Sequence, residues 1–278
     1  MTSDAWEWDE LLYAGSAAYY ARGRLPYPQE LADALRDELA LDGTGRLLDV
    51  GCGPGSVALL LASLLKQVVG VDADAEMVAE ARREAARSNV TNADWVQLRA
   101  EDLPAGLGSF RVASFAQSFH WMDRARVASA VFTMLERGGA WVHVNATTHQ
   151  GVGGVEGLPA PQPPREEITD LARAYLGPVR RAGRRTLPAG TAAEEDEIML
   201  AAGFEGPKRL DVGGGRVFER SEDGVVASVF SLSSAAPHLF GERLAEFEAE
   251  LRELLRRTSP DGRFSERARE IELVIWTR

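Results

Sequence analysis

The residues of this chain that could do chemistry gather in three short stretches. The first, Leu47-Leu48-Asp49-Val50-Gly51-Cys52-Gly53-Pro54-Gly55, is an apolar run that breaks into alternating glycines. Glycines at 51, 53 and 55 permit a sharp turn and let a ligand approach the backbone with no Cβ in the way. The second is Asp72, closing the apolar run Val68–Val71, where a carboxylate can accept from two vicinal ribose hydroxyls. The third is Glu101-Asp102, a pair of acceptors for an amino group such as that of adenine. Taken singly, these read equally as a tight turn, a helix cap and a solvated loop. Asp74 already fills the cap role, and three such features in succession describe a row of ligand contacts. A dinucleotide site has its third glycine one residue later, where this chain carries Ser56.

A row of that kind requires strands that end side by side. Arg46–Val50 and Val68–Val71 read as buried strands, the first followed by the glycine turn and an apolar helix through Leu65. Asp74 caps a helix with an inner stripe of Met77, Val78, Ala81 and Ala85. Further strands are expected near Trp95–Leu98, at Phe110–Ala116 and at Ala140–Val144. Between the last two, Asp123 caps a helix carrying Val127, Val131 and Leu135, which Gly138 and Gly139 end. Strands alternating with helices imply an α/β fold, a mostly parallel sheet covered on both faces.

Beyond residue 150 the alternation stops. Gly151–Pro164 reads as a long loop, and Glu166–Tyr175 and Ala193–Ala202 as helices flanking the irregular Gly177–Gly190. A strand is expected near Arg209–Val212, with Val217–Phe218 extending or pairing with it. Leu244, Phe247, Leu251, Leu254 and Leu255 mark an amphipathic helix, and Ile271–Trp276 a final strand. The expected organisation is one domain, 1–278. An aromatic N-terminal lid (1–40, with Trp6, Trp8, Tyr13 and Tyr19) and insertions 148–190 and 219–265 form its cap.

Composition narrows the partners. Acidic residues outnumber basic ones 42 to 31, a formal charge of −11 that repels nucleic-acid backbones and anionic lipid. No apolar run approaches the length of a membrane span, and the N-terminus lacks a signal-peptide pattern. Cys52 is the single cysteine, which excludes an intramolecular disulfide and suits a cytoplasmic setting. The four histidines are scattered and form no metal-ligand set with carboxylates, so no metal is expected.

With these pieces in view, the chain resembles the class I S-adenosylmethionine-dependent methyltransferases, of the type 11 small-molecule group. The resemblance covers Tyr20 to about Asn145 and, more weakly, the last strand. It rests on Asp49 to Gly55, Gly70-Val71-Asp72, Ala100 to Pro104, Ala116-Gln117-Ser118-Phe119-His120-Trp121 and Leu135 to Gly139. The lead-in Tyr20 to Pro28 also matches, departing from the family pattern at Gly23 and Leu25. The resemblance implies a Rossmann-like sheet of seven strands with the last antiparallel, helices on both faces and a helical cap. It implies S-adenosyl-L-methionine as cofactor, with Asp49, Gly51 and Gly53 at its methionine end and Asp72 on its ribose. Met77 would neighbour that pocket, Glu101 and Asp102 would frame the adenine, and Gln117 would sit near the sulfonium. Arg24 would pair with the cofactor carboxylate or remain a surface arginine.

The implied reaction is an in-line displacement of a leaving group that is already activated, so catalysis is largely positioning and desolvation. A hydroxyl acceptor gains from a base titrating near neutrality. His120 and His149, each following a strand, are the candidates to deprotonate or orient the acceptor, although His120-Trp121 reads equally as architecture. The loop Gly151–Pro164 is expected to order over bound ligand. The leading reading is methylation of an oxygen or nitrogen of a small molecule, in specialised metabolism. The alternatives are a cofactor-binding protein of this fold that transfers no methyl group, and a methyltransferase acting on RNA or protein.

Overall fold

The computed structural model describes residue 9 and residues 11–178, 181–182, 185–186 and 192–278. Trp6, Trp8 and most of the segment 177–190 lie outside these. The strands are β1 (Arg46–Val50), β2 (Gln67–Asp72), β3 (Ala93–Gln97), β4 (Phe110–Ala116) and β5 (Leu135–Asn145), then a short hairpin of β6 (Arg181–Ala182) and β7 (Arg185–Thr186). β8 (Glu205–Gly213), β9 (Val217–Ser221), β10 (Arg263–Arg267) and β11 (Glu270–Thr277) follow. Seven of them form one sheet in the order β3-β2-β1-β4-β5-β11-β8. β11 alone runs against its neighbours, as expected for the last strand.

The central strands are largely apolar and buried because helices cover both faces. On one face, Leu31 and Leu35 of α2 (Gln29–Glu38) pack with Val57 and Leu61 of α3 (Ser56–Leu61). Val78 and Ala81 of α4 (Ala75–Arg87) complete that layer against Leu47, Val68, Val142 and Leu273. On the other face, Val127 and Val131 of α5 (Arg124–Met134) pack on Leu48, Val50, Phe115, Trp141 and Trp276. The helix after the glycine turn is shorter than expected: it ends at Leu61 and tightens into a 3-10 turn, Ala62–Leu64.

Two boundaries differ from the sequence reading. Leu135 does not close α5 but opens β5, pairing with Phe110. The ladder then shifts register before Val112, where Gly138 takes φ +75°. Val217–Phe218 does not join the strand at Arg209–Val212. Gly213, Gly214 and Gly215 all adopt positive φ, turning the chain so that β9 pairs antiparallel with β10.

The remaining elements carry a core of their own. Ile168 of α6 (Arg165–Leu176) packs with Val225, Val229 and Phe230 of α8 (Glu222–Phe230) and with Phe240. Phe247, Leu251 and Leu255 of α9 (Leu244–Thr258) and Phe264 of β10 complete it. The last helices are α1 (Ala17–Gly23), which packs on α8, and α7 (Ala192–Ala202), which packs on α5. The loop 151–164 is anchored along its length. Val152 N–H donates to Arg267 O at 2.8 Å, Ser265 N–H to Pro161 O at 3.0 Å, and Gln162 bonds Val152 and Val155.

A buried ion cluster ties these parts together. Glu266, 2% exposed, pairs with Arg165 at 3.0 Å and with Arg220, and accepts from Gly151 N–H. Arg220 in turn donates to Gly23 O at 2.9 Å and to the carbonyls of Thr148 and His149. One carboxylate thus joins β10, β9, α6, the end of α1 and the segment following β5. Glu266→Ala strands two arginines without their countercharge, and is expected to cost about 3–5 kcal/mol of stability. Denaturant unfolding measures it; a loss below about 1 kcal/mol would place the tie elsewhere.

Candidate active site

The carboxyl ends of β1, β2, β3 and β4 surround a cavity. Its lining includes Gly51, Gly53, Asp72, Met77, Glu101 and Gln117 from the sequence reading. Ala73, Leu98, Ala100 and Ala116 at the strand ends, Ser118, Trp121 and Met122 after β4, and Tyr13 and Tyr20 complete it. Of the expected N-terminal aromatics, Tyr13 thus lines the cavity, whereas Tyr19 packs on Phe230, with ring centroids 5.1 Å apart.

The glycine turn is fixed by a carboxylate. Asp72 Oδ2 accepts from Gly53 N–H at 2.8 Å and Oδ1 from Asp74 N–H at 2.9 Å. Asp74 then caps α4 by accepting from the N–H groups of Glu76 and Met77. Gly51 and Gly53 both hold positive φ but for different reasons. A Cβ at Gly51 would lie 2.5 Å from Ser118 Cβ, whereas one at Gly53 would meet nothing within 4 Å. Gly51 is required by packing against the loop after β4. Gly53 leaves room for a ligand.

Burial dominates the electrostatics. It raises the Asp72 carboxyl to about 6, against the two backbone hydrogen bonds that favour the ionised form. It raises Asp49 to about 6 as well, opposed by hydrogen bonds from Ser114 and from the backbone of Ala58. The Glu101 carboxyl is also raised by burial, and it accepts from Asp123 N–H at 2.9 Å, fixing the entry to α5. Gln117 takes φ +54° without being glycine, a conformation that costs about 1–2 kcal/mol. Its neighbour Ser118 clamps this loop, donating to Val50 O at 2.6 Å. Trp121, which lines the cavity, buries its indole N–H without a hydrogen-bond partner among the described residues.

Several expected residues stand elsewhere. Asp49 is 1% exposed and lies beneath the turn, accepting from Ser114 Oγ at 2.6 Å, so it supports the cavity without lining it. Asp102 is exposed and faces a shallow outer groove with Asp74 and Arg99. Arg24 donates to Ser231 and lies over the Tyr20 ring at 4.5 Å. Neither histidine candidate lines the cavity. His120 is turned against Trp121, ring centroids 4.6 Å apart, and burial lowers it to about 4. His149 lines a separate cavity between α6 and α8. His143 is buried mid-strand, accepting from Trp141 Nε1–H at 2.7 Å. Ser118 and Trp121 fall in the Ala116–Trp121 stretch that carried the resemblance but were given no ligand role there, and Met122 was signalled only by following it.

Among the described residues, no group of three or more His, Cys, Asp or Glu could hold a metal ion, and no single helix is long and apolar enough to cross a membrane. The residues present do fit a nucleoside-bearing ligand. A carboxylate stands at the tip of β2 and the Gly53 face is open.

Residues 47–139 match the family profile described as a methyltransferase domain. An uncharacterized methyltransferase of Mycobacterium tuberculosis is 30% identical over 148 residues, 53% of this chain and 57% of its own. An S-adenosyl-L-methionine-dependent Diels-Alderase of Talaromyces variabilis is 30% identical over 150 residues, 49% of this chain and 50% of its own. The chain thus spans about half the length of these relatives. It spans only 14% of the tRNA (uracil-5-)-methyltransferase homolog A of Mus musculus, to which 84 residues are 38% identical. In fold, the YcgJ protein of Bacillus subtilis superposes with a TM-score of 0.52 at 19% identity, over 89% of this chain and 97% of that one. The strand order and the acidic strand ends around an open glycine agree with these likenesses, which show a methyltransferase domain over residues 47–139 and a Rossmann-like methyltransferase fold for the sheet.

Proposed function

We propose that the protein transfers a methyl group from S-adenosyl-L-methionine to an oxygen or nitrogen of a small molecule, in the cytoplasm and in specialised metabolism. The observation that carries this reading is the meeting of Gly53, Asp72 and Glu101, from three successive strand ends, in one cavity. In this assignment Asp72 accepts from the ribose hydroxyls and Met77 packs beside them. Glu101 borders the adenine, and the Gly51–Gly53 backbone runs along the methionine end. Trp121 contributes a wall of the cavity, and Gln117 marks the side from which an acceptor approaches. When bound, the cofactor supplies an electrophilic methyl group on a sulfonium that departs as a neutral thioether. The protein's part is to position the acceptor and exclude water. The formal charge of −11 favours a small acceptor over a nucleic acid.

A second reading draws on the relative named as a Diels-Alderase. In it the same cavity holds the cofactor intact while a substrate rearranges beside it. Methyl-labelled cofactor incubated with cell extract separates the two, because only transfer moves label into new products.

Binding is testable directly. S-adenosylhomocysteine titrated by calorimetry is expected to bind in the micromolar range and Asp72→Asn to lose about tenfold or more. The pH dependence has a defined sign. Asp72 must be ionised to accept from both hydroxyls, and its carboxyl is raised to about 6. Affinity should be flat above neutrality and fall by about tenfold per unit well below pH 6, and Asp72→Asn should flatten that slope. A parallel slope in the variant would remove Asp72 from the site.

The two glycines should separate by readout. Gly51→Ala collides with Ser118 and is expected to lower stability by more than about 2 kcal/mol. Gly53→Ala should cost about 1–2 kcal/mol, the strain of its positive φ alone, while weakening S-adenosylhomocysteine markedly. Equal ligand affinity in folded Gly53→Ala would contradict its role.

The absence of both candidate histidines from the cavity lining makes positioning the main source of rate. His120→Ala and His149→Ala should each retain labelled methyl transfer into extract acceptors within about threefold, where loss of a general base costs 10²–10⁴-fold or so. A drop of that size in either variant would restore the base.

A further inference from the structure

A second, open cleft adjoins the cofactor cavity through Gln117, which lines both. It lies past the end of β5, where Asn145, Ala146 and Thr147 face Val152, Gly215 and the run Arg267-Ala268-Arg269-Glu270 between β10 and β11. Apolar side chains are few there, and two arginines converge on it. Arg267 is exposed and makes no side-chain hydrogen bond or ion pair among the described residues. Arg269 uses only Nε, donating to Gly151 O at 3.1 Å, so its terminal nitrogens keep their donors. Most arginines here are paired with carboxylates, as Arg252 is with Glu222, Asp223 and Glu248. Two unpaired guanidinium groups in one cleft, in a chain of charge −11, are positioned for a planar oxyanion, which the guanidinium fork matches in shape. Glu270 stands on the same rim and leaves the two arginines with one net positive charge for such a group.

We infer that this cleft is the acceptor site, and that Arg267 and Arg269 seat a carboxylate or phosphate group of a small, polar acceptor whose reacting atom passes Gln117 toward the cofactor. This deepens the methyltransferase reading and rests on it. Gln117 is the fixed point between the two spaces: its left-handed backbone sets it at the rim shared by both. Arg267 and Arg269 both line the cleft, so they can act as one clamp.

The test uses the full chain, first free and then saturated with S-adenosylhomocysteine, titrated separately with malonate, inorganic phosphate and the neutral dimethyl malonate. Malonate or phosphate is expected to bind and dimethyl malonate not to. Tighter malonate marks a carboxylate acceptor, and tighter phosphate a phosphate ester. Arg267→Gln, which breaks no contact in the fold, should weaken the anion about tenfold or more without moving S-adenosylhomocysteine affinity. Arg269→Lys keeps the charge and should weaken it less than Arg269→Gln does, with thermal unfolding of each variant as the control for the Gly151 contact. Absence of anion binding, equal binding in Arg267→Gln, or equal binding of the neutral diester overturns the site. If Arg267-dependent anion binding persists but S-adenosylhomocysteine does not bind, the methyltransferase reading and the acceptor role fall, while the anion cleft stands.

Discussion

The site depends on one carboxylate held between two backbone amides. Asp72 receives Gly53 N–H on one oxygen and Asp74 N–H on the other, which locks the glycine turn to the tip of β2 and sets the entry of α4. Without those donors, a buried carboxylate would have no compensation for lost hydration. With them it is still raised to about 6, so the site keeps a charge that is costly to bury and ready to accept from a ligand. Asp49 repeats the arrangement one strand away and one layer deeper, where Ser114 and the α3 backbone serve the same purpose. Two strained acids under one turn make this end of the sheet the place where binding energy can be recovered.

That electrostatic arrangement is rigid because packing leaves it no alternative. Gly51 is pressed against Ser118, and Ser118 is bonded back to Val50. The loop after β4 can therefore neither sink toward β1 nor lift away. Gln117 absorbs the resulting turn in a left-handed conformation that its residue type disfavours. Strain of this sort persists only where surrounding contacts over-determine it, and here it falls at the boundary of the two spaces that ligands would share.

The sheet was legible in the sequence wherever one local rule governed. The apolar stretches before Gly51 and before Asp72 marked β1 and β2 and their ends, because strands buried on both faces carry few polar residues before their tips. Legibility failed where two rules competed. Leu135 fits a helix stripe as well as a strand, and its pairing with Phe110 decided the matter. Val217 lay within reach of Arg209–Val212 by distance along the chain, but three glycines in positive φ sent it to β10. Asp49 and Asp72 look alike as strand-end acids. Their different depths follow from where each falls relative to the turn, a tertiary fact. The histidines had the right chemistry and position along the chain, yet burial against Trp121 and the cap took them from the cavity.

The cap and the acceptor side are joined by a single strand. Along β10 successive residues point to opposite faces, so neighbours Glu266 and Arg267 serve different spaces. Glu266 turns into the ion cluster with Arg165 and Arg220, while Arg267 turns out toward the cleft beside Gln117. The backbone between them bonds the loop at Val152 and the strand at Val217. The cluster that holds the cap elements together therefore also fixes where Arg267 stands. The same Arg220 bonds carbonyls of the segment that continues from β5 into the cleft wall. Changes in the cap would thus reach the cleft through a charged, hydrogen-bonded path, and the cofactor side would feel them through α1, whose Tyr20 lines the cavity and whose Gly23 carbonyl accepts from Arg220.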